Sequence, residues 1–389
     1  MGDICSLKMP GRIYCGVGAI DRIQDMVKGT YKRIALFTDE GVEKAGLLEL
    51  VERRLKACGV SWETLKDLTP EPAYGQAQKV IDEYQDIHAD LIIAVGGGSV
   101  MDVAKLASVM DSGRDGVKKL LEDPKCGKKR VKTLMIPTTA GTGAEATPNS
   151  IVAVPEKEVK VGIVNEEMIS DMVILDGTMT ENLPYSIATA TGIDALAHAI
   201  ECYTSNKACE FSNLFAMEAL KLIFSNIEAA CKEGGDLQAK TNMLRAAFYG
   251  GVAITASGTT AVHALSYPLG GKYHIPHGVA NAMLLAPVMR WNLDRCQKEL
   301  AKVCDAVEKT AFEGSEEEKA KRVVRRLEEL VKALKIPASL EAYGVTKQDL
   351  EQLVDAGMGV KRLLANNRRV MTRKDAEKLY MDIMGEGGG

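Results

Sequence analysis

The chain has 389 residues, 46% hydrophobic and 26% charged, with a net charge of −4. That length suits two soluble domains, and the slightly acidic balance excludes a general attraction to nucleic acid or an anionic membrane surface. No apolar run approaches the ~20 residues a membrane helix needs, the opening MGDICSLKMP lacks a signal-peptide pattern, and nine cysteines without a C-x-x-C pair read as reduced thiols. A cytoplasmic protein without membrane or nucleic-acid partners is expected.

The first half alternates short apolar strands with helical stretches. Gly16-Val17-Gly18 is an isolated G-x-G and reads as a turn. Residues 33–38 (RIALFT) form a strand that ends at Asp39, and residues 42–57 and 77–88 show helical periodicity. Residues 90–95 (DLIIAV) make a continuous apolar strand, the kind covered on both faces of a parallel sheet. It runs into Gly96-Gly97-Gly98-Ser99 and then a helix, VMDVAKLASVM. Glycines there let a phosphate approach the backbone, and the helix start offers free N–H groups and the positive end of its dipole. A strand at 133–138 leads into TAGTGAEAT, where Thr138, Thr139 and Thr142 add hydroxyls as a second wall of a nucleotide site. Asp39, at the end of its strand, could accept hydrogen bonds from a ribose and repel a 2′-phosphate, which favours NAD over NADP.

After about residue 184 the period becomes helical, over 185–204, 211–233, 238–255, 278–290, 297–311 and 315–334. Two domains are expected: an α/β dinucleotide-binding domain over 1–184, and an all-helical domain over 185–389 that carries the metal and substrate sites, with the active site in the cleft between them. Four of the chain's five histidines fall between residues 192 and 277, three of them in positions a metal could collect. Asp194 and His198 are four apart and share a helix face, and His263 and His277 follow. One carboxylate and three imidazoles suit a divalent first-row metal acting as a Lewis acid.

The blocks GGGSVMD (96–102), IPTTAGTGAEAT (136–147), GIDALAHAIE (192–201) and HALSYPLGGKYHIPHGVANA (263–282) resemble the iron-dependent, group III alcohol dehydrogenase family over nearly the whole chain. The resemblance implies a dehydroquinate-synthase-like fold, a homodimer, and reversible hydride transfer between NAD(H) and a small alcohol or aldehyde. It implies metal ligation by Asp194, His198, His263 and His277, with Fe2+ the family's metal and Zn2+, Ni2+ or Mn2+ acceptable to such a set. Cofactor contacts carry over to Asp39, Gly97, Gly98, Ser99, Asp102, Thr138, Thr139, Thr142, Asn149, Lys160 and Leu183. The family often has a second histidine where this chain has Tyr267, so proton delivery falls to Tyr267, His274 or water. Glu71 stands where asparagine is frequent. Hydroxyls at Ser257, Thr259 and Thr260, with Lys272 nearby, hint at a polar or anionic aldehyde, although Lys272 pointing to solvent is the preferred reading. A dehydroquinate-synthase-type lyase and a glycerol-dehydrogenase-like zinc enzyme are the alternatives on the same fold.

Overall fold

A computed structural model describes residues 4–110, 116–157, 159–308 and 310–385, and these fall into two compact units. The first comprises Lys8–Pro184 with Ala229–Gly251; the second comprises the residues up to Leu7, Tyr185–Glu228 and Val252 onward.

The first unit contains β1 (Arg12–Cys15), α1 (Ile23–Val27), β2 (Arg33–Phe37), α2 (Glu40–Lys44), α3 (Leu47–Cys58), β3 (Ser61–Leu65), α4 (Tyr74–Ile87), β4 (Leu91–Gly96), α5 (Gly98–Val109), α6 (Gly116–Glu122), β5 (Lys132–Pro137), β6 (Asn149–Val154), β7 (Val159–Val164) and β8 (Met172–Leu175). Six strands form one sheet in the order β1-β8-β5-β4-β2-β3, and every neighbouring pair is parallel. β6 and β7 form a separate antiparallel hairpin.

β4 is buried at every position, as a central parallel strand should be. Side chains alternate between faces. Leu91, Ile93 and Val95 therefore join Ile34, Leu36, Leu134 and Ile136 on one face, packed with Leu48, Val51 and Leu55 of α3. The helix expected over 42–57 is two helices, because Gly46 takes a left-handed φ of 73° and starts α3 afresh. The Gly16–Gly18 segment is indeed a turn: Asp176 accepts the N–H groups of Gly18 and Ile20 at 3.1 and 2.9 Å.

The second unit is helical throughout its described residues. It contains α7 (Tyr185–Thr204), nearly all of α8 (Glu210–Ala230), the end of α9 (Leu237–Ser257) from Val252 onward, α10 (Ala261–Tyr273), α11 (His277–Trp291), α12 (Leu293–Val307), α13 (Glu316–Ala333), α14 (Leu350–Gly359), α15 (Lys361–Leu364) and α16 (Arg373–Ile383); the rest of α9 belongs to the first unit. The architecture is thus an α/β unit and a helical unit, the fold class that the sequence implies. The helix expected over 297–311 is shifted to Leu293–Val307, and α10 and α14–α16 were not anticipated. No helix among the described residues is long and apolar enough to cross a membrane.

Candidate metal centre and nucleotide-binding turns

Within the helical unit, α7, α10 and α11 build one buried cluster. α7 presents Asp194 and His198 on the same face, α10 carries His263 in its first turn, and His277 opens α11. The helices approach closely because α11 begins with glycine after His277: a Cβ on Gly278 would overlap the backbone of Ala190 on α7. Asp194 Oδ1 lies 3.6 Å from His263 Nε2, 3.6 Å from His277 Nε2 and 3.9 Å from His198 Nε2. Asp194, His263 and His277 form the tightest group, their ligand atoms all within 4.8 Å of one another. His198 stacks on His263, with ring centroids 4.5 Å apart.

The donor set fits a metal ion. Bonds of about 2.1 Å in a tetrahedral array put neighbouring ligand atoms about 3.4 Å apart, close to the separations seen here. Asp194, His198 and His263 are buried, Asp194 and His263 each only 2% exposed, while His277 is partly exposed. Burial alone would raise the Asp194 pKa, but His198, His277 and His263 outweigh it and hold the carboxyl well below its usual range. Burial opposes charge on His263, yet Glu201 and Asp194 raise its pKa to about 9. A buried anion among imidazole lone pairs attracts positive charge.

Two further residues belong to this cluster and were missed from the sequence. Asn281 is fully buried, and its Nδ2 donates to Asp194 Oδ1 at 2.7 Å and lies 3.2 Å from Nε2 of both His263 and His277. Glu201 bonds His263 Nδ1 from the other side. Each had a signal: Asn281 is four residues after His277, and Glu201 is seven after Asp194, spacings that return to the same helix face.

Tyr267 lies one turn beyond His263 on α10, with its ring centroid 6.0 Å from that of His277. His274 is exposed and caps α10 in a left-handed conformation, φ 54°. Lys272 is held by Asp349 at 3.2 Å and by Gln352. Ser257 donates to the carbonyls of Cys202 and Ala253, and Thr260 donates to Glu201 at 2.5 Å. The charge and two of the hydroxyls that suggested an anionic substrate are therefore engaged within the protein.

In the α/β unit, β2, β4 and β5 are adjacent and parallel, so the segments that follow them emerge at one sheet edge. Ligands of open α/β sheets bind at that carboxyl edge. Asp39 follows β2 and caps α2, its Oδ1 accepting the Val42 N–H at 2.9 Å. Gly97 caps α5. A Cβ on Gly98 would stand 2.9 Å from Thr142 Oγ1, and one on Gly97 3.4 Å from Thr139 Oγ1, so the two predicted walls do meet. Thr138 is buried and its N–H donates to Gly96 at 3.0 Å.

The remaining nucleotide candidates divide. Ser99 Oγ accepts the Glu71 N–H at 2.9 Å. Lys160 Nζ lies 2.6 Å from Glu71 Oε1. Asp102 instead turns inward, paired with the buried Lys105 at 2.9 Å and accepting the Ile151 N–H at 2.9 Å. Lys105 also donates to the carbonyls of Ala144 and Asn149. This pair therefore ties α5 to the threonine-rich loop and to the start of β6. Leu183 is half-buried just beyond the 3-10 turn Gly177–Thr180.

Phosphate-ready turns on a parallel sheet and a buried carboxylate–imidazole set on a helical unit define a metal-dependent, nucleotide-using enzyme. The chain belongs to the iron-containing alcohol dehydrogenase family: the family model described as iron-containing alcohol dehydrogenase matches residues 10–177, and that of the family's C-terminal part matches residues 188–384. It is accordingly an oxidoreductase of the alcohol–aldehyde couple. It is 34% identical to long-chain-alcohol dehydrogenase 1 of Geobacillus thermodenitrificans, with 97% of this chain and 96% of that protein covered. It is 32% identical to the sulfoacetaldehyde reductase of Bilophila wadsworthia, covering 93% and 94%. The crystal structure of the sulfoacetaldehyde reductase from Bifidobacterium kashiwanohense in complex with NAD+ matches with a TM-score of 0.87 at 25% identity, covering 99% of this chain and all of that one. These relationships lend no support to the lyase alternative.

Proposed function

We propose that the chain is an NAD(H)-dependent alcohol dehydrogenase that reduces short-chain, uncharged aldehydes, with Asp194, His198, His263 and His277 holding its metal. The observation that carries this reading is the convergence of three imidazole nitrogens on Asp194 Oδ1 where α7, α10 and α11 meet. NAD(H), the cofactor named for the Bifidobacterium relative, supplies the hydride; the bound metal, iron by family, supplies Lewis-acid polarisation of the substrate oxygen.

The chain's own residues position and protect. Gly97 and Gly98 let the turn pack against Thr139 and Thr142, the N-terminus of α5 and Ser99 face the diphosphate, and Thr138, Thr139 and Thr142 wall it. Asp39 selects NAD over NADP, and Lys160, Asn149 and Leu183 complete the cofactor set. Asp102 acts through the placement of α5. Tyr267, one helical turn from His263, is the better-placed group to give up a proton; His274 is exposed at the helix end.

The relatives' substrates, a long-chain alcohol and sulfoacetaldehyde, do not carry over unchanged. Lys272 is already paired with Asp349, which argues against an anionic substrate. None of the nine cysteines is in a disulfide among the described residues, which supports a cytoplasmic setting, and a homodimer is the expected assembly, to be measured by light scattering.

The test is NADH oxidation by anaerobically purified, Fe(II)-loaded protein with neutral and anionic short aldehydes. Turnover that is lost on chelation, restored by metal and fastest with neutral aldehydes supports the reading. Bound NADH and stoichiometric metal without turnover on any aldehyde would overturn it, and a preference for anionic aldehydes would overturn the substrate assignment.

A further inference from the structure

Glu201 is fully buried, and a carboxylate in that position persists only if its oxygens are hydrogen-bonded. Its partners come from one short stretch, the entry to α10. Oε1 accepts Thr260 Oγ1 at 2.5 Å and the Val262 N–H at 2.7 Å, while Oε2 meets His263 Nδ1. Thr260 is the residue before α10 and gives its own helix no side-chain cap. The first N–H groups of a helix lack intrahelical partners, so Glu201, reaching across from α7, caps α10 in its place. The same carboxylate grips the ring of His263, whose opposite nitrogen faces Asp194 at 3.6 Å.

We propose that Glu201 is a positioning residue of the metal site: by accepting the Nδ1 proton of His263 it leaves Nε2 as the ligating lone pair and fixes the ring's direction. The proposal rests on the assignment of Asp194, His198, His263 and His277 as the ligand set. Three parts of the site then come from one face of α7, since Asp194, His198 and Glu201 are spaced by four and three residues. A partner of this kind fixes the tautomer of a ligating histidine and raises its basicity. A role confined to capping α10 would lower stability without touching metal affinity or tautomer, and that difference makes the two roles separable.

The test uses the full chain and needs no turnover. Co(II) affinity is measured by competition with a chelator, alongside the visible d–d bands, for the wild type, Glu201→Gln, Thr260→Val and His263→Ala. The 15N-histidine-labelled, Zn(II)-loaded wild type reports the tautomer of each ring by NMR. Glu201→Gln should weaken Co(II) binding about 10- to 100-fold and shift the bands. Thr260→Val, which leaves the carboxylate on His263, should bind Co(II) within about threefold of wild type. His263 should carry its proton on Nδ1. A folded Glu201→Gln with wild-type affinity and bands, while His263→Ala loses Co(II), overturns the proposal alone. Failure of the wild type to take one Co(II), or undiminished binding by His263→Ala, overturns the ligand assignment beneath it. If Glu201→Gln does not fold, the wild-type tautomer decides: ligation through Nδ1 overturns the proposal.

Discussion

The ammonium of Lys160 lies 2.6 Å from the carboxylate of Glu71, and the backbone N–H of Glu71 donates to Ser99 Oγ at 2.9 Å. One residue thus ties the β6–β7 hairpin to the glycine turn that opens α5. Glu71 does so from a left-handed backbone, φ 53°, a conformation that costs a non-glycine residue of order 1 kcal/mol.

Neutralising either partner should move cofactor affinity in opposite directions. Lys160→Met removes the cation and should weaken NADH binding by about tenfold, about 1.4 kcal/mol. Glu71→Gln keeps the shape but frees the Lys160 charge for the anionic cofactor, so NADH should bind about two- to fivefold tighter in low salt. Salt screens such an effect over about 10 Å at 0.1 M, and the gain should vanish in 0.5 M NaCl. Fluorescence titration of NADH reads both; weaker binding by Glu71→Gln would show that the pair positions Lys160 rather than masks it.

Asp39 has an observed role and a proposed one that substitution can separate. Its Oδ1 caps α2 through the Val42 N–H, and a cap of this type is worth about 1 kcal/mol. Its negative charge is the feature expected to reject a 2′-phosphate. Asp39→Ser retains a capping oxygen without the charge, so its melting temperature should stay near wild type while the NADPH/NADH ratio of kcat/KM rises at least about tenfold, the effect of 1.4 kcal/mol. An unchanged ratio would remove Asp39 from the cofactor site.

The signals that were legible in the sequence are those with a strong local cause. The apolar run before the glycine turn became the fully buried β4, and the four-residue step from Asp194 to His198 became one face of α7. What stayed hidden depends on partners distant in the chain. β6 and β7 are defined by their pairing with each other. α10 was obscured by Pro268 within it, a residue that removes a helix hydrogen bond and is tolerated where neighbouring helices hold the segment. Glu201 and Asn281 look like ordinary helix residues until α7, α10 and α11 bring them against His263.

Glu145, in the threonine-rich loop, gives a pH dependence of known sign. Burial pushes its carboxyl up to about 7, against its own backbone N–H and Lys105. The folded chain then holds a proton that the unfolded chain has released above about 4.5, so this contribution to stability is complete below that value and is lost as pH rises through about 7. Glu145→Gln removes the dependence. The variant should differ little from wild type at pH 5 and be more stable by roughly 3 kcal/mol at pH 8.5. Urea denaturation at the two pH values measures this, and a difference independent of pH would show that Glu145 is ionised in the folded protein.

The approach of α11 to α7 sets the geometry of the proposed ligands. Gly278 follows His277, and a Cβ there would overlap the carbonyl of Ala190, four residues before Asp194 on α7. The Ala190 carbonyl is part of a helix backbone and cannot rotate aside, so Gly278→Ala must push the two helices apart. Overpacking of this kind costs about 1–3 kcal/mol. The larger consequence falls on metal binding, because His277 and Asp194 would separate from 3.6 Å while the other ligands stay with α7 and α10. Gly278→Ala should therefore melt at a lower temperature and gain less from added Co(II) than wild type does, with Co(II) affinity down at least about tenfold. Equal thermal shifts with Co(II) in the two proteins would mean that His277 does not ligate, since a ligand carried off by its helix cannot leave the affinity unchanged.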